Sequence, residues 1–217
     1  MSTRSLAERI ALFESSDVYP VVTSDFCAGR NPCDVADAVL SGGARVIQIR
    51  EKDMPDGPYF ELLRACRAIA DKYGALLIAD DRADAALAAG ADGVHVGQDD
   101  LPCRAVRSFA PDLLIGISTH NAEEIRRAQE DGCSYLNIGP VFPTGTKSLP
   151  MPSLGPDTVR RLMKDVHVPF SVMGGIKYDH LALLRGMGIR HIAAVTAFTA
   201  AENPGAEVRR WREAFLG

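Results

Sequence analysis

Residues 45–80 read RVIQIREKDMPDGPYFELLRACRAIADKYGALLIAD, and their pattern of apolar residues is the strongest indication of the fold. It opens with an aliphatic run at 45–50, continues as a segment of helical periodicity that ends at Gly74, and closes with a second aliphatic run at 76–80. Short runs of β-branched and aliphatic residues that alternate with longer helical segments are typical of parallel strands joined by crossover helices. This stretch therefore predicts one β-α-β unit.

The same alternation extends over nearly the whole chain on both sides of this unit. Further helix candidates include EEIRRAQEDG at 123–132, DTVRRLMKDV at 157–166 and HLALLRGMG at 180–188. Eight βα units in about 200 residues match a (β/α)₈ barrel, the TIM barrel of the α/β class. The eight strand candidates begin near Tyr19, Arg45, Leu76, Gly93, Leu114, Tyr135, Pro169 and His191.

A closed barrel explains this count better than the alternative, an open doubly wound sheet. An open sheet would leave edge strands and gives no reason for the series to stop at eight. No linker or low-complexity segment interrupts the units, and an amphipathic stretch, SLAERIALFESS at 5–16, precedes the first strand. We therefore expect a single-domain barrel over residues 1–217, with an extra N-terminal helix within residues 1–17.

The composition is that of a globular protein without the positive charge that nucleic-acid binding requires. Hydrophobic residues make up 47% of the 217 residues and charged residues 24%, which is enough to bury a full core. Lys and Arg number 24 against 28 Asp and Glu, so the net charge of −4 argues against nucleic acid as a partner. Five scattered cysteines, no signal-peptide pattern and no apolar run of about 18 residues predict a cytoplasmic protein without a membrane partner. The sequence leaves homo-oligomerisation open.

The second strand ends in a cationic segment. With a period of two, Gln48, Arg50 and Lys52 share one face of the strand, opposite the neighbouring isoleucines. Functional groups of such barrels lie at the carboxyl ends of the strands, where Arg and Lys are good phosphate ligands. We interpret the segment as an anion site. The alternatives are a strand read one residue out of register and a surface pair of Arg50 with Glu51.

Carboxylates follow the third and fourth strands, next to those cations. Asp80 and Asp81 end strand three, and Asp99 and Asp100 lie in the loop after strand four. Neighbouring carboxylates repel, and a Mg²⁺ ion held by one or two of them, together with water and diphosphate oxygens, would relieve that repulsion. The alternative is that Asp99 and Asp100 cap the next helix while Asp81 pairs with Arg82.

Strands six to eight offer a second, neutral anion site. Two hydroxyls and an ammonium group follow strand six, strand seven ends in a Gly-Gly pair, and strand eight ends at a Val-Thr pair, where such barrels build phosphate cups from backbone N–H groups. The pair of sites suits a diphosphate with Mg²⁺ and a phosphomonoester. A natural reaction is loss of diphosphate from one substrate and capture of the electrophile by the second. The residues are Thr144, Gly145, Thr146, Lys147, Gly174, Gly175, Val195 and Thr196.

Five blocks of sequence resemble the signatures of the thiamine-phosphate synthase family, in the order of that family. The resemblance implies a (β/α)₈ fold, Mg²⁺ as cofactor, and the joining of 4-amino-2-methyl-5-hydroxymethylpyrimidine diphosphate to a thiazole phosphate with release of diphosphate. The blocks are VIQIREK at 46–52, DDRADAALAAGADGVHVGQDDLP at 80–102, GISTH at 116–120, IGPVFPTGTK at 138–147 and MGGI at 173–176.

The resemblance also implies a role for each site residue. Diphosphate binding falls on Gln48, Arg50, Lys52 and Lys147, and Mg²⁺ binding on Asp81 and Asp100. Ser118 lies against the pyrimidine, and the thiazole phosphate falls on Thr144, Gly145, Thr146, Gly175, Val195 and Thr196. The implied reaction is dissociative: Arg50, Lys52 and Lys147 stabilise the departing diphosphate, and the thiazole nitrogen captures a pyrimidine-methyl cation. We count these three cations and Ser118 as catalytic.

Two positions depart from the family pattern. Asp80 stands where Asn is usual, so either it joins the metal shell or the pyrimidine diphosphate is held differently. Thr196 stands where Ser is common, which keeps the hydroxyl.

Two other functions are alternatives to the synthase. A related thiazole tautomerase carries a catalytic His where this chain has Pro140, and a non-catalytic paralogue could bind thiamine intermediates. The reaction needs no general base, and His120 is the one histidine that we expect at the site. We expect the remaining four to be packing or surface residues: His95, His167, His180 and His191.

Overall fold

The barrel predicted from the sequence is confirmed by the computed structural model, which describes residues 4–145 and 152–216. Eight parallel strands pair in chain order, and β8 pairs with β1 to close the sheet, which rules out the open alternative. All eight strand candidates are found. The strands are β1 Val18–Val22, β2 Val46–Ile49, β3 Leu76–Asp80, β4 Gly93–Val96, β5 Leu114–Thr119, β6 Tyr135–Ile138, β7 Phe170–Val172 and β8 Ile192–Ala194.

Helices follow the strands and cover the outside of the barrel. The predicted helix at 157–166 ends at Leu162 and continues as a 3₁₀ turn, Met163–Asp165, and the N-terminal helix precedes β1 as expected. Two further 3₁₀ turns span Ser24–Phe26 and Tyr178–His180. The helices are α1 Leu6–Glu14, α2 Pro32–Ser41, α3 Asp56–Lys72, α4 Ala83–Ala89, α5 Cys103–Phe109, α6 Ala122–Glu130, α7 Pro156–Leu162, α8 Leu181–Gly186, α9 Thr196–Thr199 and α10 Pro204–Leu216. Within the ranges described, none of these helices is long and apolar enough to cross a lipid bilayer.

Strand side chains divide between two hydrophobic cores. Ile47 and Ile49 of β2 belong to the core between the sheet and the helices, whereas Val46 belongs to the core inside the barrel. The inner core also contains aromatic side chains at the start of the strands, Tyr19 and Tyr135. Both faces of each strand are therefore covered, which is why these strands are nearly continuous aliphatic runs.

Helix α1 covers the amino-terminal end of the barrel. Its first turn is fixed by a capping box in which the backbone of Ser5 donates to Glu8 at 2.7 Å. Its last turn buries Phe13, whose ring stacks on that of Tyr135 with centroids 4.2 Å apart. The polar strand ends consequently lie at the opposite, carboxyl end of the barrel.

Candidate active site

One cavity at the carboxyl ends of the strands brings together most of the predicted site residues. Gly145 is exposed in the loop after β6 and does not line this cavity, and Thr146 and Lys147 lie outside the described residues. Asp100 lies next to the lining residue Asp81. The predicted residues that line the cavity are Gln48, Arg50, Lys52, Asp80, Asp81, Ser118, Thr144, Gly175, Val195 and Thr196.

The cations that follow β2 line the cavity and pair with carboxylates at the end of β3. The ammonium of Lys52 lies 3.2 Å from Asp80 and also contacts Asp81, and Arg50 Nε lies 3.7 Å from Asp80. Burial alone would lower the pKa of Lys52, but the two carboxylates outweigh it and raise the pKa. The strand is therefore in the expected register, and Glu51 accepts hydrogen bonds from Ser24 rather than pairing with Arg50.

A second carboxylate contact joins β3 to the loop after β4. Asp81 adopts a left-handed backbone, φ 58°, and its carboxyl group contacts that of Asp100. Burial, the charge of Asp80 and the Asp100 contact raise the pKa of Asp81 to about 7, against the opposing effect of Lys52. Asp100 accepts from the backbone N–H of Gly97 at 2.7 Å. Holding these carboxyl groups together costs electrostatic free energy, and a bound cation would reduce this repulsion.

The alternative roles predicted for these carboxylates were capping of the next helix and a pair between Asp81 and Arg82, and the structure shows other partners. Helix α5 begins after Pro102 without a side-chain cap, so Asp100 does not serve as its N-cap. Arg82 pairs with Asp56 at 3.2 Å and lies over the ring of Tyr59, rather than pairing with Asp81.

The far side of the cavity is built from backbone. Gly174 and Gly175 have φ values of 104° and 59°, and the N–H of Phe142 donates to Gly174 O at 2.9 Å. A Cβ atom at Gly175 would overlap the carbonyl oxygen of Pro143. Only glycine therefore lets the turn after β7 pack this closely against the loop after β6. Thr196 opens the short helix α9 on the same side.

The expectation for His95 was wrong: this histidine lines the cavity. Its Nε2 lies 2.9 Å from Ser118 Oγ, and its Nδ1 lies 3.1 Å from the hydroxyl of Tyr135. The signal was present in the sequence, because Val94 and Val96 face the outer core and a period of two then turns His95 inward. His120 lines the cavity as expected, with Nδ1 2.8 Å from Glu124.

A closed eight-stranded barrel with cations, carboxylates and a glycine-built turn at the carboxyl ends of its strands is typical of (β/α)₈ enzymes that bind phosphorylated small molecules. The family model described as thiamine monophosphate synthase matches residues 18–198. The chain belongs to this family, which confirms the resemblance inferred from its five sequence blocks.

Individual relatives match over almost the full length. A thiamine-phosphate synthase from Caldicellulosiruptor saccharolyticus is 35% identical over 207 residues, which cover 95% of this chain and 94% of the relative. One from Moorella thermoacetica is 36% identical and covers 91% and 94%, respectively. The solved structure of a thiamine phosphate pyrophosphorylase from Pyrococcus furiosus has a TM-score of 0.85 at 32% identity, covering 95% of this chain and 100% of that one.

Proposed function

We propose that this chain is a transferase that joins 4-amino-2-methyl-5-hydroxymethylpyrimidine diphosphate to thiazole phosphate, giving thiamine phosphate and diphosphate. The observation that carries the proposal is the arrangement of one cavity, with Arg50 and Lys52 on one side and Gly175 and Thr196 on the other. Two phosphorylated substrates bound on these two sides would meet above the centre of the barrel. Family membership of the chain supports the same reaction.

The cationic side would bind and stabilise the leaving diphosphate. The bond between the pyrimidine methyl carbon and the diphosphate oxygen breaks, and both electrons leave with the oxygen. Arg50 and Lys52 offset the charge that develops on the diphosphate, a role that we also propose for Lys147. The lone pair of the thiazole nitrogen then forms the new carbon–nitrogen bond. Positioning and electrostatics thus do most of the catalysis, and no proton has to be removed from the nucleophile.

The residues fit a Mg²⁺ ion at Asp81 and Asp100. Their carboxyl groups are in contact and the pKa of Asp81 is raised to about 7, as expected where a cation is needed between acidic groups. The described ranges contain no group of three or more His, Cys, Asp or Glu suited to a metal, which is consistent with an ion that takes its other ligands from diphosphate and water. Such an ion would neutralise charge on the leaving group.

The neutral side would hold the thiazole phosphate. The turn at Gly175 and the segment Val195-Thr196 bring backbone close to the cavity, and Thr144 lines it from the β6 loop. We propose the same role for Gly145 and Thr146. Backbone N–H groups and hydroxyls suit a phosphomonoester that must be oriented without being cleaved.

One of the two rival functions, the tautomerase, fits the cavity less well than the synthase. Pro140 lines the cavity where a tautomerase of this fold would need a proton carrier, and its side chain has no acid or base. A non-catalytic protein that binds the same diphosphate would use the same cations, so turnover is what separates it from the synthase. Mixing both substrates with Mg²⁺ and measuring diphosphate separates the synthase from both rivals: a synthase releases diphosphate, a tautomerase does not, and a binding protein only raises its melting temperature with each ligand.

We further propose that the chain works in the cytoplasm on small molecules alone. All five cysteines are free thiols in the structure, as expected in a reducing compartment. The net charge of −4 argues against nucleic acid as a partner.

The carboxylate of Asp80 competes with the diphosphate for Arg50 and Lys52. We expect Asp80→Asn to lower the KM for the pyrimidine diphosphate by roughly 3- to 10-fold, since both cations lose a negative partner, and to leave the KM for thiazole phosphate unchanged. Steady-state kinetics would measure this, with the exposed Asp56→Asn as control. A lower kcat with a higher Mg²⁺ requirement would instead place Asp80 in the metal shell.

Thr196 on the neutral side tests whether the cavity is divided between two substrates. We expect Thr196→Val to raise the KM for thiazole phosphate about 10-fold, because a hydroxyl on the neutral side is lost, with little change in the KM for the pyrimidine diphosphate. Thr158→Val on helix α7, away from the cavity, is the matched control. An equal effect on both substrates would contradict the proposed division.

A further inference from the structure

A chain of hydrogen bonds crosses the barrel interior between two residues that line the cavity. Gln48 Nε2 donates to the hydroxyl of Tyr19 at 2.9 Å, and the hydroxyls of Tyr19 and Tyr135 are 3.0 Å apart. Tyr135 lies 3.1 Å from His95 Nδ1, and His95 Nε2 lies 2.9 Å from Ser118 Oγ. Strands β1, β2, β4, β5 and β6 each contribute one of these side chains.

The fold holds the middle of this chain rigidly. Tyr19 and Tyr135 are at most 1% exposed, and burial raises the pKa of both phenols, so each keeps its single proton. Phe13 stacks on the ring of Tyr135 from below. On strand β5, a Cβ atom at Gly116 would overlap that ring, so glycine at this position makes room for Tyr135.

The amide nitrogen of Gln48 sets the direction of the chain, because it can only donate. The Tyr19 oxygen accepts that hydrogen bond and gives its own proton to Tyr135, its other partner among the described residues. Tyr135 then donates to Nδ1 of His95, which leaves the ring proton on Nε2 to be donated to Ser118. Two groups have no partner among the residues that the structure describes and can bind a ligand: the hydroxyl proton of Ser118 and the amide oxygen of Gln48.

We propose that His95 is a positioning residue that fixes Ser118 as a hydrogen-bond donor, so that Ser118 and Gln48 together select an aminopyrimidine over an oxopyrimidine. This inference rests on the proposed function. The edge of a 4-aminopyrimidine carries an N–H donor next to a ring nitrogen acceptor, which complements the Gln48 oxygen and the Ser118 hydroxyl. In the 4-oxo analogue, the donor and the acceptor exchange places. An amide oxygen can only accept, so it suits an N–H donor better than a phosphate oxygen, and Gln48 is thereby assigned to the pyrimidine rather than to the diphosphate that the family resemblance implied.

The tautomer of His95 tests the direction of the chain without any substrate. We would label the full-length protein with ¹⁵N-histidine and identify the His95 signals among the five histidines by their loss in His95→Gln. We expect the proton on Nε2 and an unprotonated Nδ1 at neutral pH. A proton on Nδ1 would mean that the chain runs in the opposite direction, with the Gln48 amide turned over, and would overturn the proposal.

Measuring ligand selectivity tests whether Ser118 and Gln48 select the aminopyrimidine. We expect calorimetry to show that the wild type binds the aminopyrimidine diphosphate at least about 100-fold more tightly than its 4-oxo analogue. Tyr135→Phe, which removes the donor to Nδ1, should reduce this ratio at least about 10-fold. Tyr73→Phe, whose hydroxyl bonds to Asp37 outside the barrel, should not change it. A merely structural role for Tyr135 would weaken both ligands equally and would overturn the proposal.

The binding measurement, combined with the assay of diphosphate release, separates this inference from the proposed function. Selective binding of the aminopyrimidine diphosphate without release of diphosphate would overturn the proposed reaction and leave the selection by Ser118 and Gln48 in place. Turnover of both pyrimidines with equal affinity would overturn the selection and leave the reaction in place. Binding of neither pyrimidine would overturn both.

Discussion

Asp81→Asn is expected to lower kcat/KM for diphosphate release by about 10²- to 10³-fold, because it removes charge from the proposed Mg²⁺ site without disturbing the backbone. Asp81 has φ 58°, a conformation that Asn tolerates well and Ala does not. An alanine variant would mix backbone strain with the loss of the carboxylate. The asparagine variant isolates the charge, and its activity at increasing Mg²⁺ is the measurement.

Asp100→Asn provides the companion measurement on the other side of the proposed ion. Its amide oxygen can still accept from the N–H of Gly97, so the loop should keep its shape. We expect the Mg²⁺ concentration for half-maximal activity to rise at least about 10-fold in both variants. Asp99→Asn, an exposed neighbour, is the matched control and should behave as the wild type. Unchanged kinetics in both Asp81→Asn and Asp100→Asn would contradict the metal assignment.

The fold could be predicted because each barrel strand is buried on both faces. Burial on both faces requires short aliphatic runs, which are visible in the sequence, and the count of eight leaves few topologies. The ends of helices and strands could be predicted less accurately from the sequence. Helix α7 stops at Leu162, four residues before the end of the predicted segment, and gives way to a 3₁₀ turn. Such ends depend on local hydrogen bonding more than on hydrophobic periodicity.

The placement of side chains at the site could be predicted only where strand periodicity determines it. Period two put Gln48, Arg50 and Lys52 on the inner face, and the structure places all three along the cavity. Periodicity does not specify which groups pair, so the contact of Lys52 with both Asp80 and Asp81 was not foreseen. A single histidine on an aliphatic strand carries no pairing information either, because the partners of a side chain on β4 come from other strands.

The opposite end of the barrel contains a buried charge cluster that has no part in the proposed reaction. Asp92, which precedes β4, is fully buried and accepts hydrogen bonds from Arg67 of helix α3, from Arg4 at 3.3 Å and from the backbone of Leu77 at 3.0 Å. Arg9 of helix α1 lies 3.8 Å away. One carboxylate thereby ties two helices and the strand β3 together at the end that α1 covers.

Asp92→Ala is expected to reduce the free energy of unfolding by about 3–5 kcal/mol, because it leaves the buried guanidinium of Arg67 without its main counter-ion. For a chain of this size, the melting temperature should fall by roughly 10 °C. Thermal and urea unfolding would measure the change. Asp37→Ala, which removes an ion pair with Lys72 between two exposed side chains, is the control and should shift the midpoint only slightly.

The position of Asp92 also predicts what the substitution leaves intact. The cavity lies at the other end of the strands, so the folded variant should keep the wild-type kcat/KM well below its melting temperature. A loss of stability no larger than that of Asp37→Ala would show that the charges of Arg67 and Arg9 are balanced by other groups in the absence of Asp92. A loss of activity in the fully folded variant would show that the two ends of the barrel are coupled, because Asp92 is not one of the residues that line the cavity.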